Sequence, residues 1–129
     1  MTFTKTVLVL AFLMPTTLVA QEVKVAPLMS KDLAECPGKE GVMITLEYPP
    51  GHSDEIHRHK AYAFVYVLEG SVVMQARGGK EVTLTPGQTF YEGPDDIHLV
   101  GRNASKTKPA KFAAFFVKDK GAPITVPAK

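Results

Sequence analysis

Two histidines stand one residue apart, His57 and His59, just ahead of the apolar run "AYAFVYVLEG", in a chain with only four histidines. On an extended backbone, residues i and i+2 share a face and lie about 7 Å apart. Two imidazoles so placed can converge on one metal ion. A third ligand must then come from elsewhere in the fold. His98 is the only histidine distant in sequence, and it opens a segment of strand character after the turn "GPDD". Neutral imidazole nitrogen suits Zn, Fe, Ni and Cu, and Mn to a lesser degree. The expectation is one divalent transition metal held by His57, His59 and His98. His52 is a further candidate, but its place in the loop "PPGHSDE" points to a surface role.

The elements that must position these side chains read as short strands divided by Gly and Pro. Residues 42–48, 63–69, 71–77, 80–85, 88–92, 97–103 and 110–119 carry β-branched and aromatic residues at strand length. Gly78-Gly79 reads as a two-residue hairpin turn, and Pro86-Gly87 as another turn. No long stretch has helical periodicity. This pattern predicts an all-β sandwich or closed barrel. Residues 21–40 are turn-prone and predict an extended arm with one helical turn near Lys31–Glu35. Residues 119–129 predict a short strand or an extended tail.

The chain has 129 residues, which suits a single domain. Apolar residues make up 45%, enough for a core and unlike a disordered chain. Fifteen basic and 13 acidic residues give a formal charge of +2, with no basic cluster. Nucleic acid and anionic membranes are therefore not indicated as partners.

Residues 1–20 have one positive charge at Lys5, an apolar run from Val7 to Met14, and Leu18-Val19-Ala20 before Gln21. That is the layout of a secretory signal peptide cleaved after Ala20. The apolar run is shorter than the roughly 20 residues a membrane span needs. A periplasmic or secreted protein without a membrane anchor is the expectation. Cys36 is the only cysteine, so no internal disulfide can form, and a shielded free thiol is expected.

With these residues in view, the chain resembles the cupin superfamily. The family's first motif, G-x5-H-x-H-x(3,4)-E-x6-G, maps onto Gly51, His57, His59 and Gly70. The second centres on a Pro/Gly turn, a histidine and a later asparagine, here Gly93-Pro94, His98 and Asn103. The resemblance covers roughly residues 41–118. It implies a small antiparallel jelly-roll β-barrel with a metal inside its mouth. One departure stands out: Ala63 at the three-residue spacing, or Phe64 at the four-residue spacing, holds the place where metal cupins often carry glutamate, and neither can ligate. Three neutral imidazoles would leave the ion's charge uncancelled and its open side free for water, dioxygen or an anionic substrate. Alternatively, Glu92 or Gln75 from another strand substitutes as a weaker ligand candidate.

Candidates for catalytic partners are Tyr62 and Tyr91, expected to flank the mouth, and Arg102, which shares alternation with His98 and Val100. The expected function is metal-dependent chemistry on a small molecule, of oxygenase, isomerase or lyase type. The alternative is a non-catalytic module that binds a small ligand or a metal. A homodimer is expected from edge-strand pairing through the arm or the tail.

Overall fold

The computed structural model describes residues 19–129, so the expected leader lies outside the described residues except for its last two positions. The strands are β1 (Lys24–Asp32), β2 (Lys39–Tyr48), β3 (His57–Arg58), β4 (Tyr62–Glu69), β5 (Val72–Ala76), β6 (Val82–Leu84), β7 (Thr89–Glu92), β8 (His98–Asn103), β9 (Ala110–Asp119) and β10 (Val126–Pro127). They form two five-stranded antiparallel sheets, ordered β1-β2-β9-β4-β7 and β10-β3-β8-β5-β6. Face to face, the sheets make the all-β jelly-roll barrel that the strand pattern and the resemblance predicted.

Alternation builds the core. On β4, Ala63, Val65 and Val67 point inward while Tyr62, Phe64, Tyr66 and Leu68 face out. On β9, Phe112, Ala114 and Phe116 point inward. The opposite sheet contributes Val72 and Met74 from β5 and Leu84 from β6. Gly70 turns β4 into β5 at φ +70, and a Cβ there would lie 2.6 Å from the Pro109 carbonyl oxygen. Only glycine accepts both the left-handed backbone and that close approach.

The chain departs from expectation at three places. Residues 24–32 form β1, hydrogen-bonded to β2 of the same chain, and residues 34–38 are turn rather than helix. The expected arm is thus a strand of the barrel sheet. Cys36 is exposed, since the turn closed by Cys36 N–H to the Leu33 carbonyl and Lys39 N–H to the Cys36 carbonyl projects it outward. The β5–β6 turn is closed by Gly79 N–H to the Ala76 carbonyl, with positive φ at Gly78 but not at Gly79, so it is not a two-residue Gly-Gly hairpin. The C-terminal segment is the short strand expected as one alternative, and it returns to the barrel, where β10 pairs with β3.

That return is clamped. Lys118 lies on the inward face of β9, directly across from Glu40 of β2. Its ammonium donates to Glu40 Oε1 at 2.6 Å and to the Asp119 and Ala122 carbonyls at 3.2 and 2.6 Å. Gly121 N–H adds a bond to the same Glu40 oxygen at 3.0 Å. The Lys118 hydrogen bond, then that of Gly121, holds the Glu40 carboxyl at about 2, down from 4.5. A depressed carboxylate stabilises the fold above its unfolded pKa, and that stabilisation is lost as pH falls through the folded value. The difference in thermal stability between wild type and Glu40→Gln should therefore be full above pH ~4.5 and should close as pH falls toward ~2. A difference that stays constant across this window would show that the clamp does not depend on the Glu40 charge.

Candidate metal centre

His57 and His98 are direct cross-strand partners between β3 and β8, and their rings stack at 4.8 Å. His59 follows β3, with its ring 4.8 Å from that of His57. The backbone then turns sharply at Lys60, whose φ is +48. One ligand atom from each of the three histidines lies within 4.8 Å of the others.

The second nitrogen of each ring decides what the cluster can do. His57 Nδ1 lies 2.8 Å from the Glu55 carbonyl oxygen, His59 Nδ1 3.0 Å from the Ile124 carbonyl oxygen, and His98 Nδ1 2.7 Å from Glu92 Oε1. Carbonyls and carboxylates only accept, so each Nδ1 carries the proton. Each Nε2 is left with a free lone pair, the tautomer a metal ligand requires. Burial holds the His59 imidazole below its ordinary range, against the opposing pull of the Ile124 carbonyl. Its neutral form is thereby favoured. Three oriented, unprotonated nitrogens fit a divalent transition metal.

Glu92 is buried, 3% exposed, and inward on β7. It is the register partner of Ala63 on β4. A carboxylate therefore does occupy this part of the barrel, contributed by the neighbouring strand. Its Oε1 takes the His98 Nδ1–H, and its Oε2 is 3.7 Å from His59 Nε2. It is neither solvated nor idle, since it sets the tautomer of His98.

The other candidates lie elsewhere. Tyr62 and Tyr91 are about half exposed on the outer sheet face, because alternation sends them opposite to Ala63 and Glu92. Gln75 points away from the interior and donates to the Gly79 carbonyl. Arg102 does not face inward with His98. The β5–β8 pairing slips one residue between Val100 and His98. This bulge at Leu99 inverts the alternation, so Gly101 and Asn103 are inward and Arg102 pairs with Glu81 outside.

Sequence reading missed a second cluster. Asp54 accepts hydrogen bonds from the Tyr48 hydroxyl at Oδ2 and from His52 Nε2 at Oδ1, the latter at 2.8 Å. The His52 ring packs on Tyr48 at 4.6 Å. His52 is thus half-buried and tied to Asp54, rather than a free surface residue or a fourth member of the cluster. Burial, then the Asp54 charge, pushes the Tyr48 phenol well above its ordinary range, so it stays a neutral donor. The loop folds in because Asp54 N–H bonds the Gly101 carbonyl and Asn103 N–H bonds the His52 carbonyl. The Asn103 amide, 4% exposed, reaches the carbonyls of Tyr48, Pro49 and Lys108. No local pattern in "GHSDEIHRH" marks these long-range bonds.

Both clusters face one cavity of about 560 Å³ inside the barrel, with apolar walls that include Val65, Phe112 and Phe116. Gly101 separates them. A Cβ at Gly101 would lie 2.5 Å from His98 Nε2 and 2.6 Å from Asp54 Oδ2. Gly101→Ala should therefore push the His98 ring off Glu92, seen by NMR as loss of its protected Nδ1–H signal. Metal affinity should drop about 10- to 100-fold, as when an orienting partner is removed. An unchanged Nδ1–H signal would show that the ring accommodates the methyl group.

Among solved structures, the fold is similar to an uncharacterized conserved protein with a double-stranded β-helix domain from Klebsiella pneumoniae, at TM-score 0.64 and 17% identity over 84% of this chain and 85% of that one. It is also similar to an oxalate oxidase in complex with the substrate analogue glycolate, at TM-score 0.61 and 23% identity over 81% and 54%. The DMSP lyase DddQ from Ruegeria pomeroyi gives TM-score 0.59 and 19% identity over 67% and 42%. The chain thus spans about half the length of the latter two, and at these identities the likeness is one of fold. No curated protein sequence matches the chain. The cupin domain model matches residues 44–117, and the chain belongs to the cupin family.

Proposed function

We propose that the protein binds a divalent transition metal through His57, His59 and His98 and acts on a small molecule in the barrel cavity. Two observations carry this reading: one ring nitrogen from each histidine lies within 4.8 Å of the others, and the three Nδ1 anchors leave each Nε2 lone pair free. The bound ion would supply Lewis acidity toward an oxygen-bearing ligand. The chain's own groups orient the imidazoles, keep water out with Val65, Phe112 and Phe116, and offer Asp54 as a hydrogen-bond acceptor. An oxygenase, isomerase or lyase activity suits such a centre, and a lyase and an oxidase stand among the structural neighbours. A binding module without turnover is the second reading. It is favoured by the outward placement of Tyr62, Tyr91 and Arg102.

Metal analysis of the purified protein tests the core of the proposal. About one equivalent of a transition metal should copurify or be taken up. His57→Ala should weaken its binding by well over the roughly 10- to 100-fold seen for lost orienting partners, since a ligand itself is removed. Wild type and His57→Ala with equal affinity would overturn the assignment.

We also propose export, on the signal-peptide layout of residues 1–20, and self-pairing. Edge strand β1 and the outer face bearing Phe64, Tyr66 and Tyr91 are two surfaces a second copy would cover. Protein recovered from outside the cytoplasm should begin at Gln21 by mass spectrometry and sediment as a dimer. An intact N-terminus, or a monomer at high concentration, would count against the respective part.

A further inference from the structure

We infer that the metal-bound ligand is a neutral or cationic small molecule that donates to Asp54, and that the site disfavours anions. This rests on the metal reading above and deepens it. Three imidazoles alone would leave an ion's two positive charges unbalanced and would favour an anionic ligand. The cavity does not have that character. Three acidic residues line it, Glu92, Asp54 and the exposed Glu55, while no lysine or arginine side chain among the described residues does. Glu92 and Asp54 alone balance one divalent ion, and Glu55 at the rim adds no positive charge. In an apolar enclosure, an added anion would have no cationic side chain to replace its lost hydration.

Asp54 is built to receive a donor. Its Oδ1 is occupied by His52 and its Oδ2 by the Tyr48 hydroxyl. A carboxylate has about four lone-pair sites, so two such bonds fix its orientation without exhausting its capacity. Oδ2 lies beside the α-carbon of Gly101, on the side where His98 Nε2 lies. A small molecule bound through one atom to a metal at His98 Nε2 can therefore reach Asp54 Oδ2 with a donor group a bond or two away. The remaining wall, including Ile44, Leu46, Met74 and Ile124, asks for an apolar body. The ligand class is a small apolar molecule carrying a metal-binding oxygen with a neighbouring hydroxyl or ammonium group.

An isosteric series tests this on the full mature chain loaded with Co2+. The probes are 1-amino-2-propanol, 1,2-propanediol and lactate, which share a three-carbon skeleton and a hydroxyl but differ in charge. Binding is read from the visible Co2+ bands. Wild type should bind the amino alcohol and the diol at least about 10-fold more tightly than lactate, and Asp54→Asn should shift the lactate-to-amine ratio by at least about 10-fold toward lactate, one tenfold step being worth ~1.4 kcal/mol. Wild type that retains Co2+ yet prefers lactate overturns this inference and leaves the metal reading intact. So does an Asp54→Asn variant with normal Co2+ content and an unchanged ratio. Wild type that retains no Co2+ overturns the metal reading and this inference with it. If Asp54→Asn does not fold, the wild-type ordering alone decides.

Discussion

The centre depends on three hydrogen bonds made by the nitrogens that would not touch a metal. A buried imidazole with an unmet Nδ1–H costs about 1–3 kcal/mol. It would also be free to present the wrong nitrogen. Here the acceptors come from Glu55, Glu92 and Ile124, three distant stretches of chain. Glu55 precedes β3 in the same loop, Glu92 ends β7 of the opposite sheet, and Ile124 lies in the C-terminal segment. The tautomer of His59 is thus an outcome of the whole fold, while those of His57 and His98 are set by residues two and six positions away. This gives structural weight to features far from the cavity. The Lys118–Glu40 clamp holds the turn from which the chain runs on to Ile124, so a pair at the C-terminal end of β9 bears on the orientation of His59.

Much of the barrel was legible because alternation and turn chemistry are local. The strands at 62–69, 72–76, 89–92, 98–103 and 110–119 lie where β-branched and aromatic residues bounded by Gly and Pro place them. The H-x-H pair and His98 could be named because spacing and scarcity made them conspicuous. Tyr48 and Asp54, only six residues apart, could not, since their loop is folded in by backbone bonds to Gly101 and Asn103; nor could the Ile124 carbonyl, a backbone atom common to every residue. β1 was hidden differently. All nine of its residues are exposed, so it lacks the inward-outward pattern that marks a half-buried strand.

Ala63 illustrates how a missing residue can mislead when read in one dimension. Along the sequence, the place where related metal sites carry glutamate is an alanine. In the sheet, its direct neighbour on β7 is Glu92, on the same inward face. Cross-strand partners occupy nearly the same space, with Cβ atoms about 5 Å apart. Moving a carboxylate across such a pair preserves charge at the site while changing what it touches. In this chain it takes the back of His98 and leaves the small Ala63 beside the cavity.

The extra residue at Leu99 has an electrostatic consequence for the cavity. Without that bulge, strict alternation from His98 would turn Val100 and Arg102 inward. A guanidinium would then sit in the wall, and an anion would be the natural ligand. With it, Gly101 takes the inward place, His98 Nε2 and Asp54 Oδ2 fill the space a side chain would need, and Arg102 pairs with Glu81 outside. A one-residue slip moves every later side chain to the other face of the sheet. Here it also decides the sign of the charge that lines the cavity. The glycine and the bulge are therefore one device: the bulge presents position 101 to the interior, and the lack of a side chain there lets the histidine cluster and the Asp54 carboxylate approach each other.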